Sequence, residues 1–400
     1  MATIQTCGDS NDLVTACRAV NLDVPDPAAV DEVTLPGFGS SKVTLQSSQD
    51  VDPEPDSKTF VSEDGGQAIF TLLTREDGEK QRPLVVHKKA NGEVSMLIPV
   101  NGRHVLKQLD VNNLKKASSK RDTISWPGNC ITMVIIKSFY SGSQTKGAVM
   151  TDNKLEELFR QGATDMTKKA NFTITVYLTK ELAEEQNQDI VFMQIKLIIA
   201  DINQGYLNSK IPLTLTLKCV KRSSLSEQEL KHSALRLLDE FRQIHSSRDT
   251  ADAATLMTKY YLKNSSEQDV CGLGYRDSLQ AGGTFSVQNR DCSIGVQTLT
   301  HELGHHFGAD HDLRSKPEGN LQYPYGLGFE AGTGEDAGTV HTLMALFNEK
   351  RVEAGLPNVA VNYWSSPAVA YTGLYAKDLG NLTLGIEGTA DNARLLTERR

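Results

Sequence analysis

The residues best suited to chemistry lie in one short segment, LTHELGHHFGADHD at 299–312. His301 and His305 are four apart, which on a helix puts both imidazoles on one face, one turn from each other and able to hold the same metal ion. Glu302 lies between them in sequence and can face the same cleft. Gly308 lets the chain leave the helix through a backbone conformation that costs other residues more. The chain can then turn back and bring His311 to the same ion. Three neutral imidazoles and one vacant coordination position make the arrangement of a catalytic zinc site. A structural site wants a fourth protein ligand, and no cysteine or carboxylate spacing nominates one. Water in the vacant position has its pKa lowered from about 15.7 toward 7, so hydroxide becomes available at neutral pH. His306 points to the other side of the helix from His305 and reads as packing or support rather than as a ligand. A His-rich surface helix or a purely structural metal site is the bland alternative, and the constrained pattern HExxHxxGxxH disfavours it.

HELGHHFGADH resembles the extended zinc signature of the metzincin metalloendopeptidases. Asp312, directly after the third histidine, resembles the adamalysin (reprolysin) branch. HTLMALF at 341–347 resembles the methionine turn of that family, with Met344 as its candidate and an ordinary core methionine as the alternative. Leu346 stands where astacins and serralysins place a tyrosine, which argues against both branches. Residues 269–302 resemble the strand and loop that lead into the active-site helix. YWSSPAVAYTG (363–373) and TADNARLL (389–396) resemble the C-terminal part of microbial and invertebrate reprolysin-like peptidases. Six cysteines could not furnish the disintegrin and cysteine-rich modules of larger relatives. The resemblance implies zinc-dependent hydrolysis of peptide bonds in proteins. His301, His305 and His311 would hold one Zn2+, and Glu302 would act as general base toward the metal-bound water. Met344 would give an apolar floor beneath the histidines. Calcium is common in relatives, but no loop here indicates it. GGTFSVQ (282–288), or a segment near it, could pair with an extended substrate backbone.

The elements that must position these residues are legible in outline. From Cys130 onward strands and helices alternate. ITMVIIK (131–137) reads as a buried strand, and residues 191–207 carry apolar side chains at helical spacing. LTLTLKC (213–219) alternates as a strand. Ser226 and Glu229 form a capping-box pattern ahead of an apolar stripe from Leu230 to Ile244. The fold class expected is α/β (α+β): a metzincin catalytic domain over 126–400, with a mixed twisted sheet, long helices and a smaller C-terminal subdomain from about residue 312. Residues 58–110 alternate apolar runs with turns at Asp64-Gly65, Asp77-Gly78 and Asn91-Gly92, the pattern of a small antiparallel β unit. LKKASSKRD (114–122) reads as a linker, and Lys120-Arg121 is a candidate processing site.

The chain has 400 residues, enough for two or three domains, and 39% of them are hydrophobic. Its formal charge of -8 excludes a nucleic-acid binder held by phosphate contacts. No apolar run approaches the roughly 18 residues of a membrane helix. Residues 1–60 hold ten acidic and three basic side chains, so this head carries -7 of the -8 and reads as loop-like. HVLKQLD (104–110) resembles the end of a propeptide, and residues 1–125 are expected to be an acidic, β-rich prosegment-like region. Cys7 and Cys17 are the thiols available there. Neither sits in the pattern by which some relatives block zinc with a cysteine, and a Cys7–Cys17 disulfide is the plainer reading. Cys271 and Cys292 bracket the loop before the histidine motif and form the favoured pair among fifteen connectivities. Sequons at Asn171, Asn264 and Asn381 and the even cysteine count favour a secreted protein, although the N-terminus has no signal-peptide pattern. Rival readings are a catalytically silent metzincin scaffold that binds a partner, a zinc hydrolase of small amides, and an acidic matrix protein that acts through its head.

Overall fold

The computed structural model describes residues 14–20, 32–36, 42–47, 57–61, 66–71, 82–89, 91–100, 103–109, 115, 123–125, 169–185, 187–246, 250–279, 283–315, 323–331, 340–372 and 382–400. The buried strand expected at 131–137 and the pairing of Cys7 lie outside them. An eight-stranded antiparallel sheet comes first. Its strands are β1 (Val14–Val20), β2 (Glu32–Pro36), β3 (Lys42–Ser47), β4 (Ser57–Val61), β5 (Gln67–Thr71), β6 (Leu84–Lys88), β7 (Val94–Val100) and β8 (Arg103–Leu109), in the order β1-β8-β7-β6-β5-β4-β3-β2. The acidic head is therefore not loop-like throughout: it supplies β1, β2 and β3. Charge counted along a segment hides the every-other-residue pattern that makes a strand. The Asn91-Gly92 turn is where the sequence places it, with Gly92 at φ +86°.

That period of two gives the sheet two apolar faces. Phe60, Phe70, Val85, Leu97 and Leu106 share one cluster with Leu35. Ile69, Leu84, Val86, Met96 and Ile98 point the other way, into the core of the rest of the molecule. What they meet is helix α2 (Gln188–Asn208), which follows the short α1 (Lys180–Ala183). α2 is buried on nearly every side, as befits a helix between two sheets. Its Asn203 reads the second sheet directly: Nδ2 donates to Leu215 O at 2.9 Å, and Leu215 N donates back to Oδ1 at 2.7 Å.

The second sheet has six strands in the order β11-β10-β12-β16-β15-β9. They are β9 (Thr123–Ser125), β10 (Ala170–Leu178), β11 (Leu213–Arg222), β12 (Ala253–Thr258), β15 (Gly272–Arg276) and β16 (Phe285–Asn289), with β13 (Leu262–Lys263) and β14 (Asp269–Val270) forming a separate small hairpin. β10, β11, β12 and β16 run parallel, and β15 is antiparallel to β16. α2 covers one face. Helix α3 (Ala234–Ile244) covers the other through Leu237, Leu238 and Phe241.

The start of α3 corrects the capping-box expectation. Ser226 Oγ does accept from Glu229 N at 3.2 Å, but Lys231 and His232 both adopt φ +54° and break the turn. The buried Glu227 carboxylate accepts from Lys259 N at 2.8 Å and Tyr260 N at 2.9 Å, bonds that a helix begun at Ser226 would have to forgo. The helix starts instead at Ser233, whose hydroxyl accepts from Arg236 N. The end of the stripe also differs, since Ile244 is exposed.

Helices α4 (Arg290–Gly295) and α5 (Thr298–His306) follow β16. The C-terminal part comprises β17 (Glu330–Ala331), β18 (Val340–His341), α6 (Glu349–Glu353), β19 (Val359–Ala360), β20 (Ser366–Ala370), β21 (Thr383–Leu384) and α7 (Asn392–Arg399). The strand and closing helix expected at 363–373 and 389–396 are β20 and α7, the latter capped by Asp391. Trp364 is fully buried and stacks on Tyr206 of α2, with ring centroids 5.8 Å apart. This is an α/β fold with a mixed sheet and a smaller C-terminal part, as expected. No helix among the described residues is long and apolar enough to cross a membrane.

Candidate active site

α5 carries the histidine motif. It begins after Gln297, which adopts φ +60°, and ends at Phe307. Gly308 then takes φ +92°, the left-handed conformation expected of it, and the chain reverses. Asp310 N donates to Gly326 O at 2.8 Å, and the buried Asp310 carboxylate pairs with Arg276 while accepting from His311 N at 2.9 Å. These contacts hold His311 against the helix it has just left.

His301 Nε2 lies 3.0 Å from His305 Nε2 and 3.1 Å from His311 Nε2. The opposite ring nitrogens settle the chemistry. His301 Nδ1 lies 2.8 Å from Leu343 O and His305 Nδ1 lies 2.9 Å from Ala309 O. A carbonyl can only accept, so both Nδ1 atoms carry the proton and both Nε2 atoms present lone pairs. Lone pairs gathered this closely repel unless a cation lies among them. Nitrogens bound tetrahedrally at about 2.0–2.1 Å would stand roughly 3.3 Å apart, close to the spacing found. Among the described residues these three form the one metal-competent group. The donor set fits zinc, and the carbonyl partners orient the rings as metal-site support does.

His306, next in sequence to His305, is buried elsewhere. Its Nδ1 lies 2.9 Å from both Tyr275 O and Ser278 Oγ. Met344 is fully buried directly under α5. A Cβ on Gly304 would collide with Met344 Sδ and stand 2.8 Å from the Trp364 ring. Glycine at that point of HELGHH thus lets the helix settle onto Met344 and Trp364.

Asp312 ties the third-histidine loop to the residues after Met344. It accepts from Leu346 N at 2.9 Å, and Ser315 N and Oγ donate to it as well. Burial pushes this carboxyl up, but the Ser315 hydroxyl, the nearby Arg314 and the two backbone donors outweigh burial and hold it below the ordinary value. Glu302 is fully buried beside β15.

The strand beside the histidines corrects one expectation. GGTFSVQ leads into β16, which is interior, with β12 on one side and β15 on the other. Its backbone has no free edge to offer. The neighbouring β15 lies outside it, and β9 runs parallel along that strand through Gly274↔Thr123, Tyr275↔Ile124 and Arg276↔Ser125. The Cys271–Cys292 disulfide, the favoured pair, ties the start of β15 to α4.

Five contributing residues are not evident from the sequence. Arg276 and Asp310 look like ordinary surface charges in a linear chain. Asp201 is buried in mid-helix and accepts from Gln297 Nε2 at 3.0 Å and Asn362 Nδ2 at 2.9 Å. Gly272 and Gly274 had a signal: glycines two apart inside a strand mark a close approach.

Residues 168–352 match the profile of metallo-peptidase family M12. A peptidyl-Asp metalloendopeptidase of Stenotrophomonas maltophilia is 30% identical over 218 residues, which is 52% of this chain and 46% of that protein. The enzyme of the same name from Xanthomonas campestris pv. campestris is 30% identical over 213 residues, 52% of this chain and 45% of that one. The chain spans about half the length of these relatives. Metalloproteinase-II from Bacteroides fragilis aligns over 73% of this chain and 84% of its own at 13% identity and a TM-score of 0.38, too low to bear on the fold. The histidine cluster falls within the segment that matches this profile, and the two together support a metzincin-like zinc metallopeptidase domain there.

Proposed function

We propose that the protein is an endopeptidase that cleaves peptide bonds in proteins and is made in a latent form. The observation that carries the first half is the convergence of three imidazole nitrogens, two with protonated partners on backbone carbonyls, beside the Glu302 carboxylate. His301, His305 and His311 would hold the zinc. Bound zinc would supply Lewis acidity to the scissile carbonyl and make water a nucleophile near neutral pH. Glu302 takes the proton of the attacking water on a carboxylate oxygen and returns it to the nitrogen of the leaving amine. Met344 keeps the floor beneath the histidines apolar and dry. Backbone groups of β15 bind the extended substrate by strand addition. The aspartate in the relatives' names motivates extending a preference for bonds at aspartate to this chain.

Latency is supported by β9. Thr123–Ser125 already occupies the β15 backbone that a substrate would need. The sheet before it is docked on α2. Cutting near Lys120-Arg121 would sever β9 from the N-terminal sheet, leaving three strand residues at a free N-terminus that substrate can displace from β15. The disulfide supports an oxidising compartment, and secretion belongs to the same proposal.

Two measurements test the reading. Glu302→Gln, assayed on a peptide library, is expected to retain zinc and lose about 100-fold or more of hydrolysis; near-normal turnover would remove the base from this residue. Full-length chain and chain cut near residue 121 are expected to differ in activity by at least tenfold, on the order of 1.4 kcal/mol. Equal rates would refute latency.

A further inference from the structure

β15 carries glycine at 272 and 274, two apart and therefore on the same face of the strand. Neither adopts a positive φ, so the backbone at these positions is open to any L-residue. A strand interior is a costly place for glycine, which leaves conformational entropy unrestrained and nothing to pack. The reason for glycine here is therefore space, and the space is filled by the catalytic glutamate. A Cβ built on Gly274 would stand 2.6 Å from Glu302 Oε2, with Glu302 Cβ and Cδ at 3.6 Å as the next nearest atoms. A Cβ built on Gly272 would stand 2.7 Å from Glu302 Oε1 and 2.6 Å from Thr298 Cγ2. Thr298 and Glu302 are four apart on α5 and face β15 together. The two carboxylate oxygens thus each lie over one glycine.

We propose that Gly272 and Gly274 form a slot in β15, free of side chains, that sets the position of the Glu302 carboxylate, making both positioning residues for proton transfer. The slot also ties two parts of the site together. Gly274 pairs through its backbone with Thr123, so the strand that receives an extended peptide along its edge is the one that fixes the base on its face. The inference rests on Glu302 being the base.

Gly274→Ala is the clean probe, because the atoms nearest its new methyl all belong to Glu302. Kinetics are measured on zinc-loaded chain after limited trypsin cleavage, with the trypsin quenched by a serine-protease inhibitor. The variant is expected to keep its zinc content and KM while kcat falls roughly ten- to a hundredfold, the effect of displacing a catalytic group by about 1 Å. A second readout needs no activity. The thermal midpoint of the full chain should fall in Gly274→Ala, and that fall should vanish in a Glu302→Ala background, where the methyl has nothing to strike. A kcat within twofold of the parent, or an equal loss of midpoint in both backgrounds, overturns the slot. Should Gly274→Ala fail to fold, recovery of folding in the Gly274→Ala/Glu302→Ala double variant supports it and continued failure overturns it. Full activity of Glu302→Gln would instead strike the proposed mechanism, leaving the slot to be decided by the melting cycle.

Discussion

His305 and His306 are chain neighbours with opposite fates. One turns its Nε2 toward His301; the other is drawn to Tyr275 O and Ser278 on the strand side. The helical rotation of about 100° per residue separates them. Removing each should therefore do different things. His305→Ala is expected to lose stoichiometric zinc and all hydrolysis. His306→Ala should keep its zinc and instead lower the thermal midpoint, because Ser278 and Tyr275 O lose a buried partner, at a cost of about 1–3 kcal/mol. Atomic absorption on both purified variants decides it; zinc lost from both would put His306 in the site. The clustering of the three histidines was legible because metal geometry constrains spacing along a helix, and the match is local. Asp310, Arg276 and the two glycines of β15 were not, because their roles depend on contacts between segments more than 25 residues apart. No periodicity within one segment reports on those.

At the scale of elements, α2 is where two sheets meet, and an ion pair between Lys88 and Asp201 crosses that junction. Lys88 of β6 reaches Asp201, whose side chain is only 3% exposed. The same carboxylate accepts from Gln297, the residue before the histidine-bearing helix α5, and from Asn362 in the C-terminal part. Lys88→Met leaves a buried carboxylate without its cation. The expected loss is near the lower end of about 3–5 kcal/mol, since Lys88 itself is partly exposed. Chemical denaturation of the full chain measures it, and Lys88→Met/Asp201→Asn should recover most of the loss. A change within about 0.5 kcal/mol for the single variant would mean that water already satisfies Asp201. The helix itself was legible from its apolar spacing. Its full burial was not, because Asp201, Asn203 and Gln204 read as a polar face until the N-terminal sheet and β11 are seen to cover it. The head of the chain was misread for the related reason that a strand edge tolerates charge, and composition alone cannot tell a charged strand from a loop.

For the molecule as a whole, the N-terminal region touches both the part that precedes the third histidine and the part that follows it. Lys88 contacts α2, while Gly92 and Lys115 lie against Val359 and Phe347 of the C-terminal part. The segment around Lys115 reads as a linker, yet this lysine is buried, with its ammonium 5.6 Å from the Phe347 ring centre. Burial pulls the amine down to about 8. In the unfolded chain it holds its proton up to about 10.4. Between those values the unfolded state binds more protons than the folded one, so stability contributed at this site rises with pH from about 8 to 10. Below that window the ammonium is charged in both states and its burial cost is fully present. Lys115→Met removes the charge while keeping the length of the stem. It is expected to raise the thermal midpoint of the full chain at pH 7 and to flatten the rise between pH 8 and 10. Under the proposed latency it should also lower the activity of uncut relative to cut chain, because the docked state gains and the released state does not. Melting curves across that range, paired with the activity ratio of uncut to cut chain, test both consequences. An unchanged pH slope would show that solvent reaches the amine in the docked state.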